Sequence, residues 1–268
     1  MNELSIEETK KLQFDILLSV HKYCVNNDIK YSLWAGTLLG AIRHKGYIPW
    51  DDDIDIAMPR PDFEKFMKGF KHNRYYCRCM DDDLEFLFTF GKVCDSKTEL
   101  IENKMFRTPI GVNIDVFPLD GLPEDLSERK SFCRKVKFNQ SLIEIKQMCY
   151  RKGRSLLKNI VLLIGKIVLF PFSYKTLNKH HIKLIKKFDY NSSSTICNLS
   201  WGIGEKESVP KEIFESRILW PFEDGEFYIP QKYDEFLKRR YGDYMALPPE
   251  SQRISHHNFR VFTNEENI

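Results

Sequence analysis

Apolar residues recur at helical spacing near the start of the chain, from Leu12 to Tyr23. Ser5 and Glu8 stand before them at the spacing of a capping box, in which each side chain accepts a main-chain N–H at the helix start. We therefore predict a helix from about Ser5 to Asn26, with one apolar face turned towards a core.

Alternating apolar and polar positions predict a set of short strands after this helix. They cover residues 29–34, 53–58, 75–79, 85–93, 98–102 and 111–121, and a short amphipathic helix covers 62–70. Polar turns separate the three strands between residues 75 and 102, so we expect these strands to continue one sheet as a meander. One of these turns contains Asp81, Asp82 and Asp83, which we interpret as solvated acids and not as a metal site.

The pattern changes after residue 123. Helical periodicity with many Lys and Arg residues covers about 124–150 and 174–190, whereas strands at 217–222 and 226–229 and a helix at 231–241 return to mixed structure. These elements predict an α+β fold, with a mixed β-sheet flanked by helices and a helical insertion. We divide the chain into a catalytic core at 1–123, a basic helical insertion at 124–190 and a C-terminal part at 191–268 that completes the catalytic domain.

The most apolar segment of the chain is residues 156–172, inside the basic insertion. It is interrupted by Lys158, Gly165 and Lys166, and a membrane span needs about 20 consecutive apolar residues. Three interpretations remain open. A buried helix is favoured, a helix lying on a membrane surface with the help of nearby cations comes second, and a groove for a partner comes third.

Composition indicates which partners and which cellular location the protein is expected to have. The net charge of +3 among 268 residues does not indicate nucleic acid as a partner. The seven cysteines are odd in number and scattered, and the first residues lack the apolar core of a signal peptide. We therefore expect a cytoplasmic protein. A peripheral location at the inner face of the cell membrane is compatible with this expectation. Cys77 and Cys79 are interpreted as buried free thiols.

Acidic residues cluster where the chain is otherwise apolar. Asp51, Asp52, Asp53 and Asp55 lie within five positions, beside Trp, Pro and Ile residues, and Asp115 lies inside another apolar strand. Strand side chains alternate, so Asp53 and Asp55 are expected on one face. Clustered, partly buried carboxylates are commonly stabilised by a divalent cation, and we expect one or two Mg²⁺ ions, with Mn²⁺ as an alternative metal.

Groups that could bind phosphate precede the acids. Gly36 and Thr37 form a turn before a helix, whose free amides suit a phosphate, and Arg43 adds positive charge. Arg43 has a second interpretation, an ion pair with the same acids. Metal-binding acids beside a phosphate site are what a phosphoryl or nucleotidyl transferase requires.

Three motifs resemble the LicD family of the nucleotidyltransferase-fold superfamily. They are AGTLLGAIRHKGYIPWDDDIDIAM, NIDVFPLDG and RYGDYMALPP, at residues 35–58, 113–121 and 240–249. The resemblance implies a nucleotidyltransferase-like sheet and transfer of phosphocholine from CDP-choline to a sugar hydroxyl. The similar fukutin-type enzymes use CDP-ribitol. Residues 124–200 show no motif of the family.

The resemblance also implies roles for single residues. Asp53, Asp55 and Asp115 match the metal-binding acids of the family, and Asp51 is close enough to be a ligand or the base that deprotonates the acceptor. Gly36 and Thr37 match the phosphate-binding element of the superfamily.

Other residues keep two interpretations. Trp50 is a wall residue or a platform for a base or a choline cation. Tyr241 is interpreted as packing its helix, whereas His256 is placed near the phosphates.

Two activities compete. The first transfers a phospho-alcohol from a CDP-linked donor, with choline favoured over ribitol or glycerol, to a cell-surface glycan or its lipid-linked precursor and releases CMP. The second transfers the nucleotide of a nucleoside triphosphate and releases pyrophosphate. A degenerate nucleotide-binding module is disfavoured because all three metal-binding acids are present.

Overall fold

A mixed β-sheet lies at the centre of the computed structural model, which describes residues 2–84, 86, 88–102, 110–148, 155–201, 207–254 and 259–263. Its main path runs in the order β2 (Ser32–Leu33), β3 (Asp55–Pro59), β7 (Asn113–Gly121), β5 (Gly91–Asp95) and β4 (Tyr75–Arg78). Strands β3 and β7 are parallel, and the other neighbours on this path are antiparallel. The end of β7 also pairs with β8 (Thr195–Cys197), which pairs with β9 (Val209–Pro210).

Two smaller antiparallel sheets complete the β structure. One contains β1 (Asn2–Glu3), β12 (Phe259–Thr263) and β6 (Thr98–Glu102), in that order. The other is a hairpin of β10 (Arg217–Phe222) and β11 (Gly225–Pro230). Because β12 lies between β1 and β6, it brings both ends of the described chain to one sheet.

The helices of the described residues are α1 (Ile6–Asn26), α2 (Ala35–His44), α3 (Arg60–Gly69), α4 (Leu126–Gln147), α5 (Leu156–Val168), α6 (Tyr174–Ile185), α7 (Glu212–Glu215) and α8 (Tyr233–Tyr241). Helix α1 begins as predicted. The Ser5 hydroxyl accepts the N–H of Glu8 at 3.2 Å, and the Glu8 carboxylate accepts the N–H of Ser5 at 2.7 Å.

Two apolar clusters hold these layers together. The larger one joins the buried face of α1, including Leu12 and Ile16, to the buried side chains of the central sheet, such as Ile56 and Val116. The smaller one joins α4 and α6 to the ends of β7 and β8 through Leu122, Phe132, Cys133, Val136, Ile185, Cys197 and Leu199. Helix α4 therefore has a packed site of its own at the end of the sheet, and the α+β class predicted from the sequence is confirmed.

The predicted meander is wrong in its last strand. β6 pairs with β12 and not with β5. The chain turns at residues 95–98, and residues 110–112 lie beside the end of β5 and the start of β6. The amide of Asp95 donates to the carbonyl of Val112, and that of Leu100 to Ile110. Within the described residues of the strand predicted at 85–93, β5 starts at Gly91, and the rings of Phe86, Phe88 and Phe90 pack on one another before it.

The favoured interpretation of residues 156–172 as a buried helix is also wrong. Only Leu162 is buried within α5, and Leu156 and Ile167 are 77% and 64% exposed. Apolar side chains do cover the helix, but most of them face outwards. In the described part of the chain, none of the helices combines the length and the apolarity that crossing a bilayer requires.

Candidate active site

Among the described residues, three acids that precede β3 form a compact group of carboxylates. One ligand oxygen from each of Asp51, Asp52 and Asp53 lies within 4.8 Å of the others. The Gln13 side chain of α1 donates to the carbonyl of Asp52 at 3.0 Å, which fixes this loop against the first helix. The grouping includes Asp52, which the sequence did not assign to the site, and it does not include Asp55 or Asp115.

Exposure alternates along the acidic loop. Asp51, Asp53 and Asp55 are each partly exposed, whereas Asp52 and Ile54 between them are buried. Strand β3 begins at Asp55, two residues later than predicted, because the strand pairs with its neighbours only from that point. The alternation nevertheless extends through the preceding loop, so Asp51, Asp53 and Asp55 share one side of the chain.

Asp55 and Asp115 are brought together by the parallel pairing of β3 and β7. They are register partners, and the amide of Asp115 donates to the carbonyl of Ile54 at 2.9 Å. Neighbouring strands lie about 4.8 Å apart, so two acids in register form a pair despite their separation in sequence. The structure thus places Asp115 beside the acidic loop.

The acids impose a strong electrostatic cost on one another. Burial raises the pKa of the Asp55 carboxyl well above its ordinary value, and the neighbouring carboxylates raise it further. The largest of these charge effects comes from Asp53, followed by Asp115 and Asp51, while the Lys92 ammonium opposes them. The Lys92 ammonium therefore offsets only part of the effect that burial and the neighbouring carboxylates have on the pKa of Asp55.

Lys92 is the site residue that the sequence reasoning missed. It lies on β5 directly opposite Asp115, and its ammonium contacts the Asp115 carboxylate and donates to the Asn113 side chain at 2.9 Å. Its side chain is 9% exposed and passes over the rings of Phe88 and Phe90. A lysine within the apolar run FTFGKVC is the signal that could have identified it, by the same argument that identified Asp115.

The Gly36 and Thr37 turn borders the acids. Helix α2 begins at Ala35, which has a φ of 44°, and Trp34 before it provides no side-chain cap for the first-turn amides. A β-carbon at Gly36 would lie 2.9 Å from an Asp51 carboxylate oxygen, so the two residues are in close contact. The buried Thr37 hydroxyl accepts the amide of Asp55 at 2.8 Å and thereby joins α2 to the start of β3.

Arg43 lies at the other end of α2 and does not pair with these acids. Its guanidinium donates to the carbonyls of Tyr244 and Ala246 and lies 6.0 Å from the centre of the Trp50 ring. The interpretation of Arg43 as an ion-pair partner of the acidic cluster is therefore wrong. Partial burial and the charge of Arg253 lower its pKa.

Trp50 lies between cationic groups. The Arg253 guanidinium is 5.6 Å from its ring centre, beside the Arg43 guanidinium described above, and the His44 ring contacts it edge-on. Within the described ranges, neither arginine forms an ion pair with a carboxylate. Arg253 is distant from Trp50 in the sequence, and only the folded chain brings the two together.

Tyr241 ends α8 beside the acids, and the interpretation that it packs its helix stays a prediction. Its side chain is 39% exposed, and it accepts a hydrogen bond from Arg240 at 3.0 Å. Burial of the hydroxyl and the charges of Asp55 and Asp51 raise the pKa of Tyr241. His256 lies outside the described residues.

The second acidic run is not part of this site. Asp81 pairs with Lys186 at 2.7 Å, Asp83 pairs with Arg78 at 2.8 Å, and Asp82 accepts the thiol of Cys79. These acids form a turn as predicted, although protein cations and not solvent alone surround them. Cys77 and Cys79 are free thiols, and burial raises the pKa of Cys79 to about 12.

Comparison with known proteins identifies the family. Residues 28–152 match the family described as LicD/FKTN/FKRP, nucleotidyltransferase domain. The lipopolysaccharide cholinephosphotransferase LicD of Haemophilus influenzae is 33% identical over 266 residues, which cover 96% of this chain and 97% of that protein. An uncharacterized protein of Rickettsia typhi is 36% identical over 107 residues, and one of Rickettsia prowazekii is 40% identical over 68 residues. These two matches cover 36% and 22% of this chain, and 34% and 26% of the Rickettsia proteins.

The family match and the geometry concern the same part of the molecule. The matched region contains Gly36, the acidic loop, Lys92 and Asp115, and the Haemophilus protein is similar along nearly the whole chain. On these grounds the protein belongs to the LicD family, and it is a phosphotransferase.

Proposed function

We propose that this protein transfers phosphocholine from CDP-choline to a hydroxyl of a cell-surface glycan, such as lipopolysaccharide, or of its lipid-linked precursor, and releases CMP. The observation that carries the proposal is the acidic site itself, in a chain that is similar throughout to a lipopolysaccharide cholinephosphotransferase. The free cysteines of the described chain agree with action in the cytoplasm.

The residues fit a divalent metal. All candidate ligands are carboxylate oxygens, the donors that Mg²⁺ prefers. Burial and the neighbouring carboxylates raise the pKa of Asp55, and a bound dication would favour its ionised form. We propose Asp53, Asp55 and Asp115 as the ligands. A bound Mg²⁺ would neutralise phosphate oxygens of the donor and favour departure of CMP.

Lys92 has a positioning role in this proposal. Its ammonium contacts the Asp115 carboxylate from the strand on the side opposite Asp55, and it supplies part of the positive charge that the cluster needs. The lysine is nearly buried, and its ammonium lies over two aromatic rings. It therefore offers a fixed positive charge next to the acids.

Asp51 is proposed as the base that accepts the proton of the acceptor hydroxyl, or as a further metal ligand. Its carboxylate lies against Gly36 at the start of α2, where the uncapped amides of the first turn are suited to a donor phosphate. Acceptor and donor groups would therefore meet beside the same helix end.

Arg43, Trp50 and Arg253 are proposed as the subsite for the phosphates and the base of the donor. Two guanidinium groups next to one indole attract phosphate oxygens, and the ring can stack on a base. The same groups repel a trimethylammonium cation, so this geometry argues against Trp50 as part of a choline site. We expect the choline group elsewhere.

The proposal is tested by ligand binding followed by product analysis. Thermal unfolding is measured with CDP-choline, CDP-ribitol, CDP-glycerol and CTP, each with and without Mg²⁺. A cognate donor at about 100 times its Kd stabilises the fold by about 2.7 kcal/mol, and we expect this for CDP-choline only in the presence of metal.

The products separate the competing activities. Release of CMP with a choline-bearing glycan supports the proposal. Stabilisation by CDP-ribitol or CDP-glycerol in place of CDP-choline would change the donor, and pyrophosphate released from CTP would replace the proposal with nucleotidyl transfer.

A further inference from the structure

Helix α5 presents an apolar face to the outside of the molecule. Eight of its 13 residues are both apolar and exposed, and each of these eight has between 44% and 77% of its surface accessible to solvent. At 3.6 residues per turn they occupy roughly 160° of the helix circumference. We call this surface the α5 face, and its most exposed members are Leu156, Leu157, Val161, Leu163, Ile167 and Val168.

The α5 face is rigidly supported from behind. Leu162 is buried, and a β-carbon added at Gly165 would lie 2.8 Å from the Ile145 side chain, so α5 packs closely on α4. At the end of α5, the Lys146 ammonium donates to the carbonyl of Leu169 at 2.9 Å. The opposite side of α5 makes the contact with α4. The outward apolar side chains therefore have no part in this packing.

Charge indicates what covers the α5 face. Residues 145–188 contain 11 Lys or Arg residues and no Asp or Glu. Residues 124–190 as a whole contain 16 basic and five acidic residues, whereas the rest of the chain contains 25 and 33. The insertion is thus strongly positive and the remainder is negative, although the net charge of the whole chain is small.

This distribution argues against a second copy of the chain as the occupant. Two copies joined through the α5 face would bring two strongly positive surfaces together, which costs electrostatic free energy. A negatively charged surface with an apolar interior matches both properties, and an anionic bilayer has them.

We propose that the α5 face binds the surface of an anionic lipid bilayer. A helix of 13 residues is about 20 Å long, against a hydrocarbon core of about 30 Å, so α5 lies in the plane of the interface and does not cross it. Lys158 on α5 and Lys175 in the first turn of α6 are exposed cations of this region. This contact would bring the active site to a lipid-linked acceptor, an inference that rests on the proposed function.

The test is co-sedimentation of the full chain with vesicles in the absence of nucleotide and acceptor. Vesicles of phosphatidylcholine with phosphatidylglycerol are compared with vesicles of phosphatidylcholine alone. We expect binding to the anionic vesicles that weakens as NaCl is raised, and weaker binding to the neutral ones.

The variant Leu163→Glu/Ile167→Glu places two acids on the α5 face, at positions 59% and 64% exposed, where the fold tolerates them. Its partition onto anionic vesicles should fall about tenfold or more. Ile6→Glu/Val25→Glu on α1 introduces the same charge at exposed apolar positions and should bind as the wild type does. Circular dichroism and thermal unfolding verify that each variant is folded.

Three results would overturn the proposal: wild-type protein that stays in the supernatant, an α5 variant that sediments like the wild type, or equal binding to neutral vesicles. A dimer of the wild type that the α5 variant abolishes, without vesicle binding, would assign the face to a second copy. Transfer to a water-soluble acceptor is measured separately and should be unchanged in the α5 variant, so failure of the proposed function and failure of membrane binding are distinguishable.

Discussion

The ammonium of Lys92 on β5 contacts the carboxylate of Asp115 on β7, and the antiparallel register of the two strands sets them directly opposite each other. On its other side, Asp115 is the register partner of Asp55 on the parallel strand β3. One buried cation and two acids therefore lie across three adjacent strands.

Removing one acid of the strand pair should stop transfer without unfolding the protein. In Asp55→Asn and Asp115→Asn the charge is lost but the shape is kept, and we expect turnover to fall by at least about 100-fold at saturating Mg²⁺. Asp224→Asn, in the exposed β10–β11 turn, is the matched control and should retain full activity. Near-normal turnover of either site variant would remove that residue from the metal site.

Replacing Lys92 should destabilise the protein most when metal is absent. Lys92→Met keeps the length of the side chain but leaves Asp115 without the ammonium that contacts it, and we expect a loss of about 3 kcal/mol in the free energy of unfolding. Excess Mg²⁺ should restore part of this loss, because it supplies positive charge to the same carboxylates. Urea unfolding with Mg²⁺ and with a chelator measures both effects.

The control for Lys92 is an exposed ion pair. Lys232 pairs with Glu212 at 2.9 Å, and both side chains are largely exposed. Lys232→Met should leave stability unchanged with and without metal. A Lys92→Met protein that is equally stable in both buffers would show that the lysine does not balance the acids.

Arg253 should contribute to binding of the donor and not to the fold. Arg253→Gln removes one of the two guanidinium groups beside Trp50, and we expect the KM for CDP-choline to rise about tenfold with little change in thermal stability. CDP should lose affinity as a competitive inhibitor to the same extent. Arg239→Gln, at an exposed position of α8, should leave both constants unchanged.

The stability of the protein should depend on pH through His181. Burial, together with the nearby charges of Arg60 and His180, lowers the pKa of His181 to about 4. Between pH 4 and 6.5 the unfolded chain therefore binds a proton that the folded chain does not, so stability falls as the pH is lowered through this range. The expected loss is about 3 kcal/mol.

Urea unfolding between pH 4 and pH 7 tests this dependence. His181→Gln should flatten the slope, because no imidazole is left to titrate, whereas His180→Gln should keep it, because that neighbour is exposed. An unchanged slope in His181→Gln would assign the pH dependence to other groups.

Much of the local structure was predictable because its cause is local. The capping box of Ser5 and Glu8 determines where α1 starts, and β10 and β11 are joined by a short turn whose sequence signal is clear. Asp115 could also be identified as a candidate site residue from its position in an apolar strand, because a buried charge requires a partner wherever it occurs.

Other features depend on contacts between distant parts of the chain. β6 has the alternation of a strand, but alternation does not state which neighbour it joins, and the pairing partner β12 lies more than 150 residues further along. Lys92 was missed because its partner Asp115 is on a different strand, and only the register of β5 and β7 sets the two opposite each other. Arg253 reaches Trp50 only through the folding of the C-terminal part.

By itself, the sequence determined the α+β class and the family and identified the candidate acids, because local periodicity and a long motif carry that information. Tertiary structure alone decided that Lys92 faces Asp115 and that α5 turns its apolar side outwards. The apolar pattern of α5 is the same for a buried helix and for an exposed one. Which of the two forms depends on how much of the helix its neighbour α4 can cover, and here it covers only one narrow side.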